Sequence, residues 1–507
     1  MTKDFPMRFF ITCPRSGSVL LMRIFAESPE CAVTSCSIPR KAAATGMESV
    51  PNHSTLQNLA SHEIVQRARD SDKRILICKA GFDNNVDEGE CTYELLPSSS
   101  EYATIRPVFL IRDPIRVFDS WKKAGWTDVQ SLIHCFNSLF RMLEQADSSL
   151  VSCLLYEQLV REPCREVERV CAFWNVPFSD TMLEFSAPFG ASFLCESAAE
   201  NDTYCHQLQS GIFSTTNDNA TVIENVPCHG LVTNDEKTMI EASLSRLYLA
   251  CWRDHISQLH DSLAEKRWIG FDLDDTLHEF RRASLAASNK VLEAVHERYG
   301  IPLAALKSRY GEILRTSTSN AFTDGKSSSE YRRERFLAVA GHFSLPLEHN
   351  SPVLSQLLHL YEMSLKESLE LKCGALNLLK TIKRLGKKIA IITEGPQDAQ
   401  EWTVENLGIS PYIDFLATTN YFKISKTDGL FTRVLETLSI TPSEIAYVGD
   451  NDYRDMQPAI AEGILSFYLA ESLNCNLEVY PPRINTLNKL EYILLFSGET
   501  TAARRAN

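Results

Sequence analysis

The chain has 507 residues, of which 44% are hydrophobic and 23% charged, and carries a formal net charge of −14. These values describe a globular protein of more than one domain. The acidic balance argues against broad binding to nucleic acid or to an anionic membrane surface, while leaving room for a local basic pocket.

In chain order, the first predicted strand is residues 7–13, followed by "CPRSGSVLL". The sequence reads as strand, tight loop, helix, with Arg15, Ser16, Gly17 and Ser18 in the loop. Such loops can cradle anions, because a helix N-terminus offers unpaired N–H groups and a positive dipole end. The nucleotide loop G-x-x-x-x-G-K-[ST] is absent, and by itself this stretch is also an ordinary turn and helix cap. Further strands are predicted at 74–79, 106–112 and 152–156. In "VFLIRDPIRVFDSW" Arg112 falls at a strand end and Ser120, eight residues on, falls on the following helix. Residues 197–235 read as a polar loop, 236–260 as a helix, and "HDSLAEKR" as a linker.

Taken together, the PRSGS loop and the Arg112/Ser120 pair resemble the sulfotransferase family, over roughly residues 5–260. The resemblance implies a P-loop-like domain at 1–262 that binds 3′-phosphoadenosine 5′-phosphosulfate. The loop would hold the 5′-phosphosulfate, and Arg112 with Ser120 the 3′-phosphate. Tyr156 and Glu157 in "LLYEQLVREP" and Lys79 in "RILICKAGF" are similar to further family segments, whereas Gly81 stands where cytosolic members carry a histidine. The general base stays open among His53, His62, Asp83, Glu88 and Glu90, and residues 186–235 contain no match to the glycine-rich cofactor segment of cytosolic members.

A new apolar strand, "RWIGFDLDD", opens the second half. It carries Asp272 and Asp274 two residues apart at its carboxyl end, where open α/β sheets place their sites. Residues 279–370 read as helical, and strands return at 388–393, 413–417 and 444–448. Thr393 ends one of these strands; Lys426 lies in "KISKTDGLF", with Lys423 as its rival; Asp450 and Asp455 lie in "YVGDNDYRD". Two close carboxylates repel unless a cation neutralises them or one stays protonated as an acid.

This ordered array resembles the haloacid dehalogenase superfamily, over about residues 265–507. The resemblance implies a Rossmannoid hydrolase domain at 263–507, with a core at 265–278 and 371–498 and a helical cap at 279–370. It implies Asp272 as nucleophile, Asp274 as general acid and base, and Thr393 and Lys426 as stabilisers of the transferring group. Mg²⁺ would be held by Asp272, Asp274, Asp450 and Asp455. An acid is needed for an alkoxide leaving group but not for a halide, so Asp274 favours a phosphatase, or a phosphomutase, over a dehalogenase. Thr427 stands where the family usually has proline after the lysine.

The expected fold class is therefore α/β, with two domains, each a mainly parallel sheet flanked by helices. The expected function is a bifunctional enzyme: a Mg²⁺-dependent phosphatase acting on a small phosphorylated metabolite, fused to a sulfotransferase-like domain. The alternative keeps only the phosphatase active and makes the N-terminal domain a binding module for a nucleotide or substrate. No apolar run is long enough to span a bilayer, the first ten residues lack the layout of a secretion signal, and the 15 cysteines contain no C-x-x-C pair. The expectation is a cytoplasmic protein that binds neither nucleic acid nor membrane.

Overall fold

The computed structural model describes residues 5–34, 63–81, 99–185, 193–194, 221–222, 229–317 and 322–496. It divides into two compact units, Met1–Trp252 with Ser472–Asn476, and Arg253–Glu471 with Leu477–Asn507. Among the described residues no helix is long and apolar enough to cross a membrane.

The first unit is built on a six-stranded sheet: β1 (Met7–Thr12), β2 (Cys31–Thr34), β3 (Ile75–Gly81), β4 (Val108–Ile111), β5 (Ser152–Leu155) and β6 (Phe193–Leu194). Its order is β5-β4-β1-β3-β2-β6, and each adjacent pair is parallel. Parallel strands need crossovers, and strands buried between covering helices are predominantly apolar. Phe9, Phe10 and Ile11 of β1 are accordingly all fully buried. Trp174, at the end of the helix Pro163–Trp174, packs on Phe25 with ring centroids 4.8 Å apart.

The second unit has its own six-stranded parallel sheet: β7 (Trp268–Phe271), β8 (Lys388–Thr393), β9 (Phe415–Thr418), β10 (Ile445–Gly449), β11 (Leu465–Leu469) and β12 (Arg483–Ile484), in the order β12-β11-β10-β7-β8-β9. Four helices, Phe280–Tyr299, Leu303–Ser317, Ser328–His342 and Pro352–Ser368, stand between β7 and β8 in sequence and share an apolar core of their own. The two connections to this cap run side by side, with Glu279 N–H donating to Glu370 O at 2.9 Å and His278 bridging antiparallel to Leu371.

Several boundaries differ from the sequence reading. The helix expected at 236–260 is two helices, Asn234–Ala250 and Asp254–Ala264, separated at Arg253, whose φ is 42°. Most of the stretch read as a linker is therefore helical, because Ile256 and Leu263 are buried while its polar residues form the outer face. The units part between Trp252 and Arg253, ten residues before the expected 262/263 boundary. The strands β2, β6, β11 and β12 were not anticipated; β6 and β12 have two residues each, too few for a pattern.

Candidate functional sites

In each sheet the strand order reverses beside the first strand, β1 or β7, and chain segments leaving neighbouring strands converge at that crevice. In the second unit, Asp272 follows β7 directly, its N–H donating to Val448 O at 2.9 Å. The carboxylate is buried, and Lys426 Nζ donates to its Oδ1 at 2.5 Å. The same ammonium donates to Asp455 Oδ1 at 2.5 Å and to Tyr447 Oη at 3.1 Å. Burial pushes the Asp272 carboxyl well up, against the attraction of Lys426, and Asp455 and Asp450 push it further. Lys426 is held above its ordinary value by Asp272 and Asp455 despite its own burial. Lys423 is exposed and does not line this cavity.

Asp450 and Asp455 leave β10 on the neighbouring loop. Carboxylate oxygens of Asp272, Asp450 and Asp455 all lie within 4.8 Å of one another. Burial, then Asp455, pushes the Asp450 carboxyl up to about 6. Three carboxylates around one ammonium keep excess negative charge, and a hard dication with oxygen preference fits that donor set. Gly449 permits the approach: a Cβ there would sit 2.6 Å from Asp455 Cβ. The Asp274 carboxylate, also expected as a ligand, stands outside this trio. Its Oδ1 is 2.9 Å from His278 Nε2, and its Oδ2 accepts from Gln400 Nε2 at 3.2 Å.

Thr393, at the end of β8, is fully buried, and among the described residues its Oγ1 has no hydrogen-bond partner. Such a hydroxyl is costly unless a ligand oxygen accepts from it. Asp272, Asp274, Thr393, Lys426, Asp450 and Asp455 all line one cavity of about 420 Å³ between the sheet and the cap. His278 and Gln400, which grip Asp274, were missed in the sequence. His278 sits in "TLHEF", close enough to the acidic pair to have drawn attention; nothing marks Gln400.

In the first unit the loop after β1 turns through two left-handed residues, Arg15 (φ 72°) and Gly17 (φ 98°), into the helix Ser18–Ala26. Glycine is required at 17 twice over, since a Cβ would meet the Tyr156 ring at 2.4 Å. Ser16 is fully buried, and among the described residues its Oγ has no partner. Arg15 Nε donates to Ser120 Oγ at 3.0 Å, and Arg112 Nη1 donates to Arg15 O at 3.3 Å. Trp121 Nε1 ties Pro14 O at 2.9 Å, and the Arg112 guanidinium stacks 4.4 Å over the Tyr156 ring. Burial, then the neighbouring Arg112, lowers the pKa of Arg15. Sequence positions 15, 112 and 120 are thus one cluster, with Arg15 touching Ser120 directly rather than facing a separate subsite. Lys79 is half-buried in β3, and Glu157 accepts from Asp113 N–H at 2.9 Å. His53, His62, Asp83, Glu88 and Glu90 lie outside the described residues.

Comparison with known proteins bears on the second unit. Residues 269–468 match the family described as haloacid dehalogenase-like hydrolase. The chain is 23% identical over 232 residues to the glyceraldehyde 3-phosphate phosphatase of Methanocaldococcus jannaschii, covering 44% of this chain and 93% of that protein. It is also 23% identical over 237 residues to the mouse haloacid dehalogenase-like hydrolase domain-containing protein 3, covering 45% and 93%. Among solved structures, a HAD phosphatase from Thermococcus onnurineus is similar at 22% identity and a TM-score of 0.34, covering 45% of this chain and 97% of its own. The magnesium-bound HAD-hydrolase YfnB of Bacillus subtilis is similar at 21% identity and a TM-score of 0.37, covering 46% and 99%. Residues 269–468 are a haloacid dehalogenase-like hydrolase domain.

Proposed function

We propose that the second unit is a Mg²⁺-dependent phosphatase for a small phosphate monoester. The observation that carries this is the gathering of Asp272, Asp274, Thr393 and Lys426 on one cavity, with two carboxylates in contrasting surroundings. An Asp272 oxygen attacks phosphorus, forming an aspartyl-phosphate as the ester P–O bond breaks. Asp274, steered by His278 and Gln400, gives its proton to the departing alkoxide. It then takes a proton from water, whose oxygen attacks the same phosphorus and frees Asp272 and inorganic phosphate. Thr393 would donate a hydrogen bond to a phosphoryl oxygen, and the positive charge of Lys426 would offset the charge that grows there. Asp272, Asp450 and Asp455 would hold Mg²⁺, which supplies neutralisation of phosphoryl charge when bound. The phosphatase relative in Methanocaldococcus jannaschii supports this reaction class. Phosphate release from a panel of monoesters should require Mg²⁺ and should vanish in Asp272→Asn. Unchanged release in that variant would defeat the reading.

For the first unit we infer a sulfotransferase-like role, with 3′-phosphoadenosine 5′-phosphosulfate held by the loop 15–18 together with Arg112 and Ser120. Two neighbouring arginines of like charge, a buried Ser16 hydroxyl without a partner among the described residues and a helix N-terminus support an anion there. With the full chain, the sulfonucleotide should bind, and binding should be lost in Arg15→Ala. Binding without sulfuryl transfer to any acceptor would favour the binding-module reading; absence of binding would remove both. Fusion with the phosphatase would then raise the local concentration of a shared metabolite.

A further inference from the structure

The hydrolase cavity has two walls of opposite character. The sheet side carries the acidic groups together with Lys426 and Arg454, whereas the cap side presents Arg281, Arg315, Arg332 and Arg335 and, among the described residues, no acidic one. Arg281 is committed to the core: its Nε lies 3.0 Å from Asp275 Oδ2 and its Nη2 3.4 Å from Asp450 Oδ2. Arg332 and Arg335 are different. They lie three residues apart on the helix Ser328–His342, and therefore on one face.

Both guanidiniums are held by aromatic rings. That of Arg332 lies 4.9 Å over the Tyr361 ring, and Tyr361 Oη is within 3.1 Å of Ser284 Oγ. That of Arg335 lies 6.0 Å from the Tyr331 ring and shares a hydrogen bond with Tyr310. Among the described residues no carboxylate pairs with Arg332. Stacking fixes the plane of the Arg332 fork while leaving its N–H edges for a ligand, and Arg335 adds a second positive charge beside it. The transferring phosphoryl group is already served by Thr393, Lys426 and the acidic trio on the sheet side. The cationic wall thus faces whatever the phosphoryl group is attached to.

We propose that Arg332 and Arg335 form a second anion subsite, so that the substrate is a phosphate monoester whose alcohol carries a further anionic group, a carboxylate or a second phosphoryl. The inference rests on the phosphatase reading above and adds the substrate class to it. A neutral leaving group would leave like charges facing one another in a partly desolvated cavity; an anion relieves that and contributes remote binding energy.

The test uses the full chain with Mg²⁺ and two matched ester pairs. The carboxylate arm compares 3-phosphoglycerate with glycerol 3-phosphate. The phosphoryl arm compares propane-1,3-diol bisphosphate with 3-hydroxypropyl phosphate. Dissociation constants by calorimetry and kcat/KM by phosphate release are measured for each. The expected result is at least a tenfold preference for the doubly anionic member in one arm, and the preferring arm identifies the anion. Arg332→Gln should cut that preference below threefold through KM, and Arg332→Lys should restore part of it. Equal binding within both pairs, or a preference that Arg332→Gln and Arg335→Gln both leave intact, overturns the subsite. Tight selective binding with no phosphate release from any ester instead overturns the phosphatase reading and leaves the subsite standing.

Discussion

Replacing Lys426 with methionine keeps most of the side-chain volume at the centre of the hydrolase site and removes its one buried positive charge. The ammonium sits 2.5 Å from both Asp272 Oδ1 and Asp455 Oδ1, and all three side chains are buried. Deleting one member of such a network leaves the remaining charges uncompensated, at a cost of about 3–5 kcal/mol. For a unit of this size each kcal/mol lowers the melting temperature by roughly 2–4 °C, so a metal-free fall on the order of 10 °C is expected. The assay is scanning calorimetry of the full chain, reading the transition that Mg²⁺ shifts. Without the lysine the carboxylates repel more strongly, so Mg²⁺ should stabilise the variant by a larger increment than it stabilises the wild type. A metal-free shift under 2 °C, or a smaller Mg²⁺ increment in the variant, would refute the view that this lysine balances the acidic floor.

Three other outcomes follow from the same contacts. Burial, against the N–H of Asp113, pushes the Glu157 carboxyl up to about 7 from 4.5. The native state then holds a proton that the unfolded chain has lost, so stability falls as pH rises from about 4.5 through 7, by roughly 3 kcal/mol for this shift. Glu157→Gln should reduce the fall in stability between pH 5 and pH 8 in urea titrations, and an unchanged or steeper fall in the variant would contradict the assignment. His278→Gln should lower kcat by roughly 10–100-fold with little change in KM, since it acts by orienting Asp274. Gly17→Ala should weaken sulfonucleotide binding in the full chain by more than tenfold, because the added Cβ collides with the Tyr156 ring and forces the loop out of shape.

The parallel sheets were legible because buried strands are written as unbroken apolar runs: "KIAIIT" became β8 over the predicted span 388–393. The groups on the sheet side of the hydrolase cavity were legible for a related reason. Asp272 and Asp450 each follow an apolar strand and Thr393 ends one, and strand ends mark the crevice. What escaped was set by tertiary packing. Gln400 reaches Asp274 from a helix turn with no distinguishing pattern, and Arg332 and Arg335 face the cavity only because their helix buries Tyr331 and Phe336 alongside. The contact of Arg15 with Ser120 joins two signals that the sequence alone assigns to separate subsites. The break at Arg253 was hidden because the sequences on both sides are helical.

The central claim is that Asp272 becomes covalently phosphorylated, and acid-quenched single turnover with a ³²P-labelled monoester and Mg²⁺ tests it most directly. The account predicts a transient label, released by hydroxylamine and mapping to the peptide that contains Asp272, with none in Asp272→Asn. Phosphate release at undiminished rate without any protein-bound label, or a label that persists in Asp272→Asn, would contradict it.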